Sequence, residues 1–249
     1  MYPGRMEGYD ASTYGDRVAG MYDELYEGTL DTESCVEFLA GLADGGPALE
    51  LAVGTGRVAI PLAERGIEVH GVDASDAMVS RLRAKPGGDR IAVTMGDFAD
   101  VPVDGRYPLV FVVFNTLFAL TSQEDQVRCF RGVAEHLTDT GVFVVECFVP
   151  DPGRFDRGQR VGADRVELDR VIIEATAHDP VAQRTISQHV ILSENGIHMF
   201  PVNIRYAWPS ELDLMARLAG LRLRERWGGW RDEYFTADST RHVSVYERS

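Results

Sequence analysis

The stretch Leu49-Glu50-Leu51-Ala52-Val53-Gly54-Thr55-Gly56-Arg57 decides how the chain is read. With Ala48, its apolar residues up to Val53 make a short run typical of a strand buried on both faces. Gly54 and Gly56 then let the backbone turn sharply and approach a ligand closely at the entrance to a helix. Alone this signal is weak. Gly54-x-Gly56-x-x-Ala59 also satisfies the dinucleotide fingerprint, so a nicotinamide-dependent oxidoreductase has to be weighed.

Working outward, strand and helix alternate. Arg57–Arg65 reads as helix, Glu68–Val72 as strand, Ser75–Ala84 as helix, and Ile91–Met95 and Leu109–Phe114 as strands. Gln123–Leu137 reads as helix and Val142–Cys147 as strand. Strands spaced by helices predict βαβ units and a parallel sheet covered on both faces. The rhythm changes after Pro150. Arg165–Ala177, Arg184–Ser193 and Ile197–Tyr206 read as three long strands without helices, the last two joined at Asn195-Gly196, a strong hairpin signal. Then a helix over Ser210–Ala219, with Ser210 as its cap, and strands Leu221–Trp227 and His242–Glu247 resume the first rhythm. Upstream, residues 15–28 and Thr32–Leu42 read as helices, and five of the nine tyrosines fall in the first 30 residues: Tyr2, Tyr9, Tyr14, Tyr22 and Tyr26.

The 249 residues suit one or two domains. Against 25 Lys and Arg stand 39 Asp and Glu, a net charge of −14. Such a chain lacks the electrostatic footprint of a nucleic-acid binder. The longest apolar run, Leu109–Phe114, is six residues, against about 20 for a membrane helix. Met1-Tyr2-Pro3-Gly4-Arg5 has no apolar h-region, so no signal peptide and a cytoplasmic location are expected. Cys35, Cys129 and Cys147 lack metal-ligand spacing, and three reduced thiols and no metal are expected.

Two further elements single out the ligand. Asp73 ends the second strand 19 residues beyond Gly54, where a carboxylate can accept from both hydroxyls of a ribose. The third strand ends in Gly96-Asp97-Phe98, where Asp97 can accept from an adenine amino group and Phe98 can cover the ring. These residues resemble class I S-adenosylmethionine-dependent methyltransferases. Glu50-x-Ala52-x-Gly54-x-Gly56 is similar to that family's acidic-x-Gly-x-Gly-x-Gly motif, and Asp73-x-Ser75-x-x-Met78 to its second. Phe114-Asn115-Thr116 falls where the family contacts the methionine part of the cofactor, and Tyr22-Asp23 looks like its lid. Ala52 for the usual first glycine, Glu50 for a more common Asp, and Pro108 before the fourth strand depart from the pattern.

The resemblance implies an α/β fold: a Rossmann-like, doubly wound seven-stranded sheet with an inserted antiparallel β meander. It implies a helical lid over residues 1–46, a cofactor-binding unit over 47–150 and 207–249, and a substrate cap over 151–206. S-adenosyl-L-methionine is the implied cofactor. Its contacts are carried to Tyr14, Tyr22, Glu50, Ala52, Gly54, Gly56 and Arg57 in the first half of the site. Asp73, Ala74, Met78, Asp97, Phe98, Phe114 and Asn115 supply the rest. A narrower likeness, carried by Asn115-Thr116-Leu117-Phe118 and Leu212–Gly220, is to bacterial small-molecule and peptide N-methyltransferases, such as amino-sugar N,N-dimethyltransferases and enzymes of the cypemycin type. The implied partner is a small-molecule or short-peptide acceptor, methylated at an amine nitrogen, with O-methylation the alternative. An amine must shed its proton, so a base is sought. Glu146, at the end of the fifth strand, and His189, in the meander, are the candidates, with His198 on a neighbouring strand. An aromatic loop holding Trp227, Trp230 and Tyr234 is read equally as acceptor pocket or as ordinary packing.

Overall fold

The backbone groups of a buried apolar run must be satisfied by neighbouring strands, and the short runs of this chain pair accordingly in the computed structural model. It describes residues 6–28 and 31–249; Tyr2 and the N-terminal reading of residues 1–5, and residues 29–30, lie outside the described residues. Strands β1 (Ala48–Leu51), β2 (Val69–Asp73), β3 (Ala92–Met95), β4 (Tyr107–Val112) and β5 (Leu137–Phe148) pair in parallel. A separate antiparallel sheet follows: β6 (Gln159–Val166), β7 (Arg170–Asp179), β8 (Arg184–Ser193) and β9 (Gly196–Arg205). β10 (Leu221–Trp227) and β11 (Arg241–Arg248) complete the first sheet in the order β10-β11-β5-β4-β1-β2-β3, with β11 antiparallel to both neighbours. The chain winds outward in both directions from β1 and β4. Their carboxyl ends are therefore the switch point at which such sheets bind ligands.

Period-two alternation decides which side each residue faces. Leu49, Leu51, Val110, Val112, Phe143 and Val145 join the buried cluster under α6 (Gln123–His136) and α7 (Pro209–Leu218). Leu109, Phe111, Val142 and Val144 join the opposite cluster, under α3 (Thr32–Leu42) and α4 (Ala59–Glu64). Glu50 and Glu146 take alternating positions on this second side, so both carboxylates are carried inward. The remaining helices, α1 (Thr13–Val18), α2 (Tyr22–Leu25) and α5 (Asp76–Ala84), cap the carboxyl edge; α1 contacts both β9 and α5.

Three readings are corrected. The span read as one strand, Arg165–Ala177, holds the last two residues of β6, the turn Glu167-Leu168-Asp169 and β7, so that the sheet gains a fourth strand, Gln159–Val166, where none was read. The helix read over residues 15–28 breaks between Val18 and Tyr22. Helix α7 begins at Pro209, whose missing N–H costs nothing at a first helical position, and Ser210 lies inside it rather than capping it.

Gly71 lies opposite Glu50 in the β1–β2 ladder. A Cβ there would sit 2.6 Å from Val53 Cβ. Gly71→Ala therefore overpacks the sheet and lowers stability by about 1–3 kcal/mol, read as a lower urea midpoint with an unchanged m-value.

Candidate active site

Past β1 the chain turns through left-handed residues, Ala52 at φ +58° and Gly54 at φ +55°. The departure at Ala52 is thus accommodated rather than avoided, at about 1 kcal/mol. Asp73, at the end of β2, holds the turn. Its Oδ2 accepts the Gly54 N–H at 2.7 Å and its Oδ1 the Ser75 N–H at 2.8 Å. Burial raises its pKa against the pull of these donors. Ser75 caps α5 by accepting the Met78 N–H at 3.1 Å, and donates to Asp16 of α1 at 2.6 Å. The N-terminal helices are tied again at α2: Asp23 accepts from Thr55 Oγ1 at 2.7 Å and pairs with Lys85 at 2.8 Å.

Between this turn, the N-terminal helices and the antiparallel sheet lies a cavity of about 340 Å³. The structure brings Ala52, Gly54, Asp73, Met78, Phe98 and Phe114 to its wall, with Asn115, Tyr14, Tyr22 and His189. Gly54 is open to it: an added Cβ would meet nothing nearer than the Ala52 carbonyl at 4.0 Å. Gly56 is glycine for another reason. At φ +76° its hydrogens face Ile60 and Leu82, 3.0 Å from where a Cβ would stand. Asp97 lines an adjoining open cleft with Glu7, Asp10 and Asp125. Ala74 offers its N–H to Asp73. Arg57 stands behind the wall, its guanidinium 5.3, 5.7 and 5.5 Å from the rings of Tyr22, Tyr26 and Phe114. Tyr14 and Tyr26 meet hydroxyl to hydroxyl at 3.0 Å, and burial raises both phenols.

The two carboxylates on strands behave differently from their reading. Glu50 lies beneath the wall. Burial pushes its carboxyl well above the usual range, the Ala59 N–H opposes this, and Oε2 has no hydrogen-bond partner. Glu146, read as a base, does not line the cavity. Its Oε2 accepts the Phe114 N–H at 2.9 Å, and the Trp230 side chain also bonds it. Phe114 and Asn115 are consecutive left-handed residues at φ +59° and +63°, and Asn115 Oδ1 accepts the Phe148 N–H at 2.6 Å. Glu146 thus braces a strained turn.

His189 reaches the cavity from β8. Its ring lies flat on Phe200, 4.9 Å between centroids and 2° from parallel, and its Nδ1 is 3.5 Å from Asp164 Oδ2. Asp164 occupies a register irregularity between Ala163 and Arg165, a bulge that re-aims a side chain. His198 is exposed on β9. In the aromatic loop, Trp230 packs on Phe38 at 5.5 Å in the second cluster and Tyr234 is exposed, so packing, not an acceptor pocket, describes it. Residues without a sequence-based role also line the cavity, among them Tyr9, Asp10, Phe148, Val202 and Asn203. Their signal was absent because the register between the two sheets is a tertiary property. Among the described residues no cluster of three His, Cys, Asp or Glu could hold a metal, and the three thiols are free and buried.

A seven-stranded sheet of this order, opening at its switch point onto a Gly-turn gripped by a strand-end carboxylate, is the frame of a Rossmann-like methyltransferase. A methyltransferase-domain family model matches residues 48–141, and the chain belongs to the S-adenosylmethionine-dependent methyltransferases. The likeness extends over the whole length. Cypemycin N-terminal methyltransferase of a Streptomyces species is 31% identical over 247 residues, covering 96% of this chain and 99% of that protein. The CcbJ methyltransferase of Streptomyces caelestis superposes with a TM-score of 0.91 at 44% identity, covering 97% and 100%. The sugar N-methyltransferase KedS8 of a Streptoalloteichus species, at 21% identity and a TM-score of 0.67 over 99% and 100%, shares the fold. The nicotinamide alternative falls with this membership.

Because its folded-state pKa is raised, Glu50 contributes stability that is full below the ordinary glutamate value of 4.5 and is lost as pH rises through the folded value. Glu50→Gln removes that loss. The ligand-free variant is expected to gain about 1–3 kcal/mol at pH 8 and less at pH 5, read from urea midpoints at the two pH values.

Proposed function

We propose that this enzyme moves a methyl group from S-adenosylmethionine to an amine nitrogen of a small molecule or short peptide, in the cytoplasm and without nucleic-acid partners. The observation that carries the reading is the single cavity shared by the Gly54–Asp73 turn on one wall and by His189 on the other. The names of the relatives support the substrate class, since cypemycin N-terminal methyltransferase and KedS8 act on a peptide and a sugar by name. An acidic chain and the lack, among the described residues, of any helix long and apolar enough to cross a membrane accord with it.

The residues present fit the cofactor. The open side of Gly54 leaves room for close approach, and the buried Glu50 Oε2 is an acceptor without a donor. Acids line the wall and the adjoining cleft, which suits a ligand carrying a sulfonium and an ammonium group. Asp73 would hold the ribose, Asp97 and Phe98 the adenine, and Ala52, Phe114 and Asn115 the methionine part; Met78 lies beside Asp73, and Tyr14 and Tyr22 close the top. When bound, this cofactor supplies an electrophilic methyl group on a sulfonium. The lining residues would hold an acceptor nitrogen in line with that methyl group. Alignment within the cavity lowers the barrier by restricting the partners to one geometry. His189, oriented by Asp164 and Phe200, takes the proton that the amine must lose. The residues of 151–206 act as the acceptor's cap and those of 1–46 as the lid over the cofactor-binding remainder.

Three measurements test this. In calorimetric titration S-adenosylhomocysteine binds and NADH does not, and Asp73→Ala weakens the former by about 1–3 kcal/mol through lost charge-assisted hydrogen bonds. An unchanged dissociation constant removes Asp73 from the ribose. His189→Gln is expected to cut turnover by about 10²–10⁴-fold with S-adenosylhomocysteine affinity preserved; equal losses in both argue for a structural histidine. Mass spectrometry of paired amines and phenols after incubation with cofactor separates N- from O-methylation.

A further inference from the structure

The face that the antiparallel sheet turns inward changes character along its strands. Residues paired directly across strands share a face, so the register sorts it into rungs. Ile172 and Ile191 are paired and pack with Val18 and Leu25 of the N-terminal helices. Next comes the rung Glu174–His189–Phe200, then Thr176–Ser187–Val202, then His178–Thr185–Ile204. Rungs on one face are two residues apart, about 7 Å. His189 lines the cavity assigned to the cofactor. Glu174, Thr176, Ser187 and Thr185 line a second cavity of about 450 Å³, and Phe148, Val202 and Ile204 belong to the walls of both. A cofactor held as proposed takes the first cavity, so the part of the acceptor beyond its nitrogen extends into the second.

The polar groups of this second cavity form one chain. Arg160 Nη1 donates to Glu174 Oε2 at 2.7 Å, and Arg154 Nη2 lies 3.6 Å from the same oxygen. Ser187 Oγ donates to Glu174 Oε1 at 3.1 Å, and the Thr176 and Ser187 hydroxyls meet at 2.8 Å. A hydroxyl has a single hydrogen to give. That of Ser187 goes to Glu174, so Thr176 donates to Ser187, and both oxygens have only lone pairs left to offer. A guanidinium has donors and no acceptor. Arg160 and Thr176 are paired directly across β6 and β7, which sets donors and acceptors side by side on one wall. A ligand hydroxyl donates and accepts at one atom and meets both. A carboxylate or phosphate only accepts, and an ammonium only donates. The lining also balances Arg154 and Arg160 against Asp151 and Glu174, so neither sign of charge is drawn in. A trans amide points its N–H and C=O in opposite directions and cannot turn both to the same wall. Phe155, held by stacking on His178 at 4.2 Å between centroids, gives the cavity an apolar border for carbon-bound hydrogens. We infer that the acceptor bears hydroxyl groups about 7 Å or more from the nitrogen that receives the methyl group, and that Arg154, Arg160, Thr176 and Ser187, ordered by Glu174, form the subsite that selects them. The inference rests on methyl transfer beside His189 and adds what the enzyme reads at the far end of its substrate.

The test uses the full chain and a series of amines of equal carbon number: glucamine, hexylamine, ε-aminocaproate and hexamethylenediamine. They differ in whether the carbon chain carries hydroxyls, nothing, a carboxylate or an ammonium beyond the nitrogen. With S-adenosylmethionine as donor, kcat/KM for glucamine should exceed that for each of the others at least about tenfold. Thr176→Val keeps the side-chain shape and loses the hydroxyl; Arg154→Gln changes a half-exposed guanidinium. Each should lower the ratio of glucamine to hexylamine by about 2–10-fold, with S-adenosylhomocysteine binding as the check that the variant is folded. A wild type that prefers another of the amines or none, or a ratio unmoved in both variants, overturns the inference. Saturation-transfer NMR of glucamine on the complex with S-adenosylhomocysteine reads the subsite without chemistry. The hydroxymethyl end should receive the strongest saturation and lose it in Thr176→Val; absence of that contact in the wild type overturns the inference whatever is methylated. If the contact is present and no amine is methylated, the subsite stands and the reading of N-methylation falls.

Discussion

Asp73 places one carboxylate between two backbone donors from different segments, the Gly54 N–H after β1 and the Ser75 N–H before α5. Both groups would otherwise end in the open cavity with no partner, and an unsatisfied buried donor costs about 1–3 kcal/mol. The bridge fixes the glycine turn against the neighbouring strand end. From Ser75 the constraint passes through a single hydroxyl to Asp16 and so to the lid. Gly15 allows this approach: a Cβ there would stand 2.6 Å from Ser75 Cβ. One acid therefore sets the shape of the cavity floor and, through its neighbour, the seat of its roof.

The other side of the switch point is built on strain. Ala52, Phe114 and Asn115 all adopt left-handed backbone conformations without being glycine, each a cost that persists only where surroundings over-determine it. The surroundings are identifiable. The Glu146 carboxylate takes the Phe114 N–H, and the Asn115 side chain takes the Phe148 N–H. The Phe114 ring rests near the Arg57 guanidinium. Glu146 is thus positioned to shape the site from behind the sheet. Its burial raises its pKa, which is tolerated because a backbone donor and an indole compensate it.

Local chemistry made much of the frame readable. Apolar runs bounded by glycine and proline placed the central strands, because a strand covered on both faces is largely apolar throughout. In the structure Ser122 and Ser75 cap the helices that follow them, a signal the sequence reading did not use. The motif residues Gly54, Asp73, Phe98 and Asn115 meet at one cavity because each ends a strand on the same edge. Glu146 lies off the cavity wall for a reason that local sequence does not carry. Its position along β5 was legible, but the side it faces depends on which helix covers that side. Strand β6 was missed because Gln159–Val166 is mostly exposed and lacks an apolar run, and its place beside β7 is fixed by pairing rather than by local sequence.

The amino-acid sequence by itself determined the succession of strands and helices, the glycine turn and the strand-end acids, since these follow from local periodicity and from conformations only some residues tolerate. Tertiary structure alone decided the rest. It turned Glu146 away from the cavity, brought His189 from a distant strand to face Asp73's wall, and set Asp164 beside it. Each of these depends on register between segments far apart in the chain, and register is set by packing energy summed over many contacts, which no single stretch of residues encodes.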